Sequence, residues 1–300
     1  MGGMATKVNL GDRRRAALRE LPQRRVGLVL GAGGATGMAF HAGTLLALSN
    51  DFGWDPRDAI AIVGTSAGSV VGTLLRSGLS VDDIASWSAS VPPAPGAESF
   101  RAMLEDAERI RPRIARPRWR RRHPVLPGGL VDAQPGLAKL AALREGWPDQ
   151  PLWINAVRRR DLHRVVFGRD FVPDLGDAVA ASCSIPGLFT PVRIGHHTYI
   201  DGGVHSPTNA DVLRGTDVDM VIVLSPMSAR PRALRRSTDH AMRLAHGARL
   251  RRECRRLRAA GVDVHIFEPD AATLEAMGRN ALDGRRAGGV VRESFLSAVG

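Results

Sequence analysis

VGLVLGAGGATGMAFHAGTLLAL, running from Val26 to Leu48, contains no Asp, Glu, Lys or Arg, and its reading decides the fold. By length and hydropathy it meets the requirement of roughly 20 apolar residues for a membrane span. Gly31, Gly33, Gly34 and Gly37 fall in its middle, where a chain in lipid would leave backbone groups unpaired. The stretch therefore divides into an apolar strand at Val26 to Leu30, a glycine turn, and a helix over Met38 to Leu48. A continuous apolar run ended by glycine is the pattern of a strand covered on both faces.

The pattern repeats immediately. Ala59 to Val63 predicts a second strand ending at Gly64, and Ser69 to Leu75 a second helix, so two strand-turn-helix units imply a parallel sheet. Ser80 with Asp83 forms a capping box for a helix near 81 to 90. Further strands are expected at Trp153 to Val157, Arg164 to Phe167, Thr198 to Ile200, Asp219 to Leu224 and Val262 to Phe267. Helices are expected at Asp177 to Ser182, Arg235 to Ala260 and 270 to 298. Residues 1–25 read as a basic N-terminal extension and 26–300 as one α/β domain. Within it, a Pro- and Arg-rich insertion over about 92–130 suits a cap or lid.

The 300 residues are 44% hydrophobic and 24% charged, which excludes collagenous, wholly disordered and coiled-coil chains. The net charge is +12 and only Lys7 and Lys139 are lysines, so the positive charge is almost all arginine. Such a surface favours anionic partners, either nucleic acid or lipid head groups, unless it only reflects an arginine-rich composition. No zinc or RNA-binding motif is present, which argues against a specific nucleic-acid partner. Cys183 and Cys254 form neither a disulfide framework nor a paired metal-ligand spacing, so no metal is expected. The first residues lack the apolar core of an export signal, which fits a cytoplasmic protein.

Gly64-Thr65-Ser66-Ala67-Gly68 is a G-x-S-x-G sequence between a strand and a helix, a context in which a sharp turn lifts a serine oxygen clear of the backbone. A nucleophilic serine needs an oxyanion site, and the turn from Gly31 to Gly37 can aim several backbone N–H groups at one anion. A dinucleotide-binding turn would need glycine where Thr36 stands and an acidic residue after the second strand, where Gly64-Thr65-Ser66 is found instead. For the base, His205, His240, His246 and His265 follow the serine, though none is convincingly placed. Asp201 of Asp201-Gly202-Gly203 ends a short strand, although that tripeptide also reads as an ordinary Asp-Gly hairpin turn.

The combination resembles the patatin-like phospholipase family. The glycine-rich turn, G-x-S-x-G on the next unit, and ASCSIPGLFTPVRIGHHTYIDGG at Ala181 to Gly203 carry the resemblance over about Val26 to Leu213. It implies a three-layer α/β/α domain with a mostly parallel central sheet, and a Ser–Asp dyad working without histidine and without cofactor. It further implies Ser66 as nucleophile, Asp201 as base, and the N–H groups of Gly33, Gly34 and Ala67 as the oxyanion hole. Gly31, Gly37, Gly64, Gly68, Gly202 and Gly203 are the motif glycines. Ala32 and Thr36 depart from the family's glycine triplet and from the basic residue often found before the last glycine. The expected substrate is a phospholipid or other acyl-ester lipid, met at an anionic membrane surface through Arg109 to Arg122 by a protein peripheral to it. The alternatives are a catalytically weak lipid-binding relative and an esterase with a Ser-His-Asp triad.

Overall fold

The computed structural model describes residues 10–89, 102–103, 105–106, 118–120, 123–125, 128–135, 137, 145–230, 233 and 239–299. Its elements are α1 (Leu10–Leu18), β1 (Val26–Leu30), α2 (Gly34–Phe52), β2 (Ala61–Thr65), α3 (Ala67–Arg76), α4 (Val81–Ala89), β3 (Arg118–Arg120) and β4 (His123–Val125). There follow β5 (Leu152–Arg158), β6 (His163–Phe167), α5 (Leu175–Ser182), β7 (Val192–Ile194) and β8 (His197–Asp201). The chain continues through β9 (Met220–Leu224), α6 (His240–Arg258), β10 (Asp263–Phe267), α7 (Ala271–Met277) and α8 (Ala287–Val299). The arginine-rich segment Arg109 to Arg122 lies outside the described residues except for the backbone of the short β3–β4 hairpin.

Eight strands form one sheet in the order β10-β9-β1-β2-β5-β8-β7, with β6 also on β5. The run from β10 to β5 is parallel, and β6 and β8 join β5 antiparallel. Every residue of β1, β2 and β9 is buried, as an apolar strand between two helical layers must be. One face packs against α2, α3, α4, α5 and α8 through side chains such as Leu28, Leu45, Val71, Ile84 and Val290. The other packs against α6 through Val29, Val221, Leu250, Cys254 and Leu257. The fold is thus a three-layer α/β/α domain around a mostly parallel sheet. Each fully buried Leu or Val contributes about 1.5–3 kcal/mol.

Local chemistry accounts for the element ends. Asp55 accepts the Arg57 N–H at 2.9 Å and caps a single turn at Pro56–Asp58, which pushes the start of β2 from the expected Ala59 to Ala61. The Ser80–Asp83 capping box forms in both directions at the start of α4. The helical stretch expected over 270–298 is two helices, because Gly278 ends α7 with φ of 66° and Asp283 caps the next turn. The helix expected from Arg235 begins at His240, residues 234–238 being outside the described set. Among the described residues, no helix is long and apolar enough to cross a membrane.

Candidate active site

The site is built where strands end. Leu30 pairs with Gly64 in parallel register, so the turn after β1 and the turn after β2 leave the same edge side by side. On β5, Thr65 of β2 pairs with Asn155 and Asp201 of β8 pairs with the next residue, Ala156. Since β6 occupies the other edge of β5 over these residues, β2 and β8 meet end to end along one edge. Ser66 and Asp201, 135 positions apart in the numbering, are brought together by that junction.

Ser66 sits between β2 and α3 with φ 52° and ψ −120°, a conformation non-glycine residues rarely adopt and whose cost is of order 1–3 kcal/mol. Its backbone is held at both ends. The Ser66 N–H donates to Ser182 Oγ at 2.9 Å, Ser182 Oγ donates on to the Asn155 carbonyl at 2.7 Å, and Ser69 Oγ donates to the Ser66 carbonyl at 2.7 Å. The flanking glycines are required by packing: a Cβ on Gly68 would fall 1.9 Å from the Leu30 carbonyl oxygen, and one on Gly64 2.6 Å from Ser69 Cα.

Asp201 ends β8 with its N–H donating to the Ser184 carbonyl at 3.0 Å, and its Oδ1 accepts the Gly203 N–H at 2.6 Å. A Cβ on Gly202 would lie 2.3 Å from the Asn155 carbonyl oxygen, so the chain can pass over β5 only without a side chain there. Burial pushes the Asp201 carboxyl up to about 6, while the facing Ser66 hydroxyl and the Gly203 N–H favour its ionised form. The Cys183 thiol completes this wall, 3.8 Å from Ser69 Oγ and beside Ser66, and burial together with the Asp201 charge pushes it up to about 12. It therefore stays a neutral thiol at ordinary pH.

Across from Ser66, the Gly31 N–H donates to the Leu224 carbonyl at 3.0 Å and the Ala32 N–H to the Pro207 carbonyl at 2.8 Å. The Gly33 and Gly34 amides, and that of Ala67 at the start of α3, have no acceptor among the described residues. Gly34 has φ of 60°, and a Cβ there would meet the Ala281 carbonyl oxygen at 2.6 Å. Thr36 donates its N–H to that same carbonyl at 3.0 Å, so its departure from a basic residue coincides with a contact from the α7–α8 connection. His41 anchors the turn from below: its Nε2 lies 2.7 Å from the Gly31 carbonyl, and burial pushes the ring down to about 4. A nitrogen facing a carbonyl must carry the proton, so His41 is neutral with hydrogen on Nε2.

The four histidines considered as bases lie elsewhere. His205 follows Asp201-Gly202-Gly203-Val204, and burial with Arg164 and Arg249 pushes it down to about 4. His246 faces the Met227 carbonyl at 3.3 Å, His265 contacts Asp263 at 3.0 Å, and His240 is exposed at the start of α6. Among the described residues, no three His, Cys, Asp or Glu side chains cluster as metal ligands. His41, Asn155, Ser182 and Glu253 were not singled out from the sequence. Ser182 falls within the Ala181 to Gly203 segment that carries the resemblance, whereas no local signal marks His41, Asn155 or Glu253.

The site thus brings together a serine on a strained strand-to-helix turn, a buried carboxylate facing it and backbone amides without an acceptor among the described residues. The chain belongs to the patatin-like phospholipase family, whose model matches residues 28–214. This is a family of lipid acyl hydrolases. Among solved structures the chain is similar to VipD from Legionella pneumophila, with 14% identity over 92% of this chain and 67% of that one and a TM-score of 0.45.

Proposed function

We propose that the protein hydrolyses carboxylic ester bonds of phospholipids through an acyl-enzyme on Ser66, with Asp201 as the base. The observation that carries this reading is the buried Asp201 facing Ser66 with its carboxyl pushed up to about 6, a base poised near neutral pH. As Ser66 Oγ attacks the acyl carbonyl, its proton passes to the Asp201 carboxylate. The tetrahedral oxyanion accepts hydrogen bonds from the N–H groups of Gly33, Gly34 and Ala67. Collapse expels the alcohol, which takes the proton from Asp201, and leaves an ester on Ser66. Water then attacks that ester and gives its proton to Asp201, and as the bond to Ser66 breaks Asp201 returns that proton to Ser66 Oγ and the fatty acid departs. Each oxyanion donor is worth about a hundred- to a thousand-fold in rate. No metal or cofactor takes part.

The arginines of Arg109 to Arg122 would suit an anionic bilayer as the surface presenting the substrate, at about 1 kcal/mol each near the head groups. Fatty-acid release from phospholipid vesicles tests the reading. Wild-type protein should release fatty acid and Ser66→Ala should not, with release rising as anionic lipid is added. Release by Ser66→Ala equal to wild type would refute the assignment, and no release by wild type would favour a lipid-binding relative.

A further inference from the structure

Glu253, on the inner face of α6, lies beyond residues 28–214 of the family match and is 4% exposed. Its carboxylate is fully engaged by a distant segment. Ser206 Oγ donates to Oε1 at 2.6 Å, and Thr208 Oγ1 and the Ala210 N–H donate to Oε2 at 2.7 and 3.0 Å. Arg249 stands 3.5 Å from Oε1 and balances the charge.

Ser206 to Ala210 follows Asp201-Gly202-Gly203 and touches each part of the site. Its Pro207 carbonyl accepts the Ala32 N–H at 2.8 Å, fixing the glycine turn. The Asn209 side-chain amide donates to Thr65 Oγ1 at 3.1 Å, immediately before Ser66, while Asn209 itself holds a left-handed φ of 52°. One buried carboxylate thus fastens a segment that continues from Asp201, supports the oxyanion turn and reaches the nucleophile turn.

We infer that Glu253 is a positioning residue for the reaction proposed above, on which this inference rests: α6 sets the distance between the Ser66–Asp201 pair and the Gly33–Gly34 amides through Ser206–Ala210. The site demands a carboxylate and not merely a polar side chain. Ser206 Oγ already accepts the N–H groups of Thr208 and Asn209 at 3.3 and 3.2 Å, so it can only donate to residue 253, and Ala210 N–H can also only donate. A glutamine, with one acceptor end and one donor end, leaves a donor facing a donor whichever way it is turned.

The test compares wild type, Glu253→Gln and Ser66→Ala by steady-state fatty-acid release and by amide hydrogen exchange. Glu253→Gln is expected to fold, to lower kcat roughly 10- to 100-fold with KM within about twofold, and to speed exchange in peptides covering residues 31–37 as well as 203–210. A merely structural role would lower activity only in proportion to the unfolded fraction and leave exchange at 31–37 unchanged, and that result would overturn the inference. Thr208→Val, which removes a single donor, should show the same pattern more weakly if Glu253→Gln does not fold. Hydrolysis by Ser66→Ala would refute the dyad, and the exchange pattern at 31–37 would still decide whether Glu253 holds the glycine turn.

Discussion

Thr65 and Asp201 pair with consecutive residues of β5, Asn155 and Ala156, so β2 and β8 stop against each other and Ser66 turns off the sheet facing the Asp201 carboxylate. The pair is consequently held by sheet register. A one-residue slip of β8 would turn Asp201 to the opposite face.

Asp201 stands at a cost in stability. Its carboxyl is pushed from 3.8 up to about 6 by burial, so between those values the folded state binds more protons than the unfolded one, and stability falls as pH rises. At neutral pH this amounts to a cost on the order of 1–3 kcal/mol. Asp201→Asn is expected to abolish hydrolysis while raising Tm at pH 7. Thermal melts at pH 4 and 7 check this, the gain being small at pH 4 and full at pH 7.

In the proposed mechanism the same group sets the pH profile: the base would act ionised, so kcat/KM should climb through about pH 6 as Asp201 loses its proton. His205, already neutral above about pH 4, contributes no limb there. Single His→Ala changes at 205, 240, 246 and 265 should each retain most of the activity and leave that midpoint in place.

The motif glycines should separate into those packing requires and those it does not. Gly68→Ala drives a Cβ to 1.9 Å from the Leu30 carbonyl oxygen and should destabilise the protein severely. Gly203→Ala puts its Cβ 2.9 Å from Asp201 Oδ1 and should cost activity more than stability. Gly37→Ala finds nothing nearer than Pro226 at 3.5 Å, in a helix that favours alanine, and should be tolerated. Melting temperatures and initial rates on the three variants decide the order.

His41 holds the Gly31 carbonyl at the cost of an acid-sensitive fold. Its pKa falls from 6.5 to about 4 by burial, so the unfolded state binds more protons between those values, and stability is lost as pH falls through that window. His41→Ala leaves a buried carbonyl without a donor and should cost about 1–3 kcal/mol. His41→Gln, which can donate without titrating, should show less loss of Tm than wild type between pH 6.5 and 4.

The sheet-forming units were legible because their signals are local: apolar runs end at glycine, and Gly64 to Gly68 brackets Ser66 between a strand and a helix. Asp201-Gly202-Gly203 by itself reads as a hairpin turn, and only the family resemblance singles out its carboxylate. What was not legible is long-range. Nothing in the neighbourhood of Asn155 or Glu253 marks them, and Ser182, although inside the Ala181 to Gly203 segment, carries no sign of its bond to the Ser66 N–H, because these bonds span up to 116 residues. The end-to-end meeting of β2 and β8 depends on β5 running three residues past β2, which length and hydropathy of β5 alone do not reveal. The break at Gly278 has local signals in Gly278, Asn280 and Asp283-Gly284, which are overridden when the apolar residues on either side are read as one helix over 270–298.

Covalent labelling by a fluorophosphonate probe, with the adduct located by peptide mass spectrometry, tests the central claim most directly. The account predicts a single adduct on Ser66, none in Ser66→Ala, and labelling slowed at least a hundred-fold in Asp201→Asn. An adduct elsewhere, or wild-type labelling rates in Asp201→Asn, would contradict it.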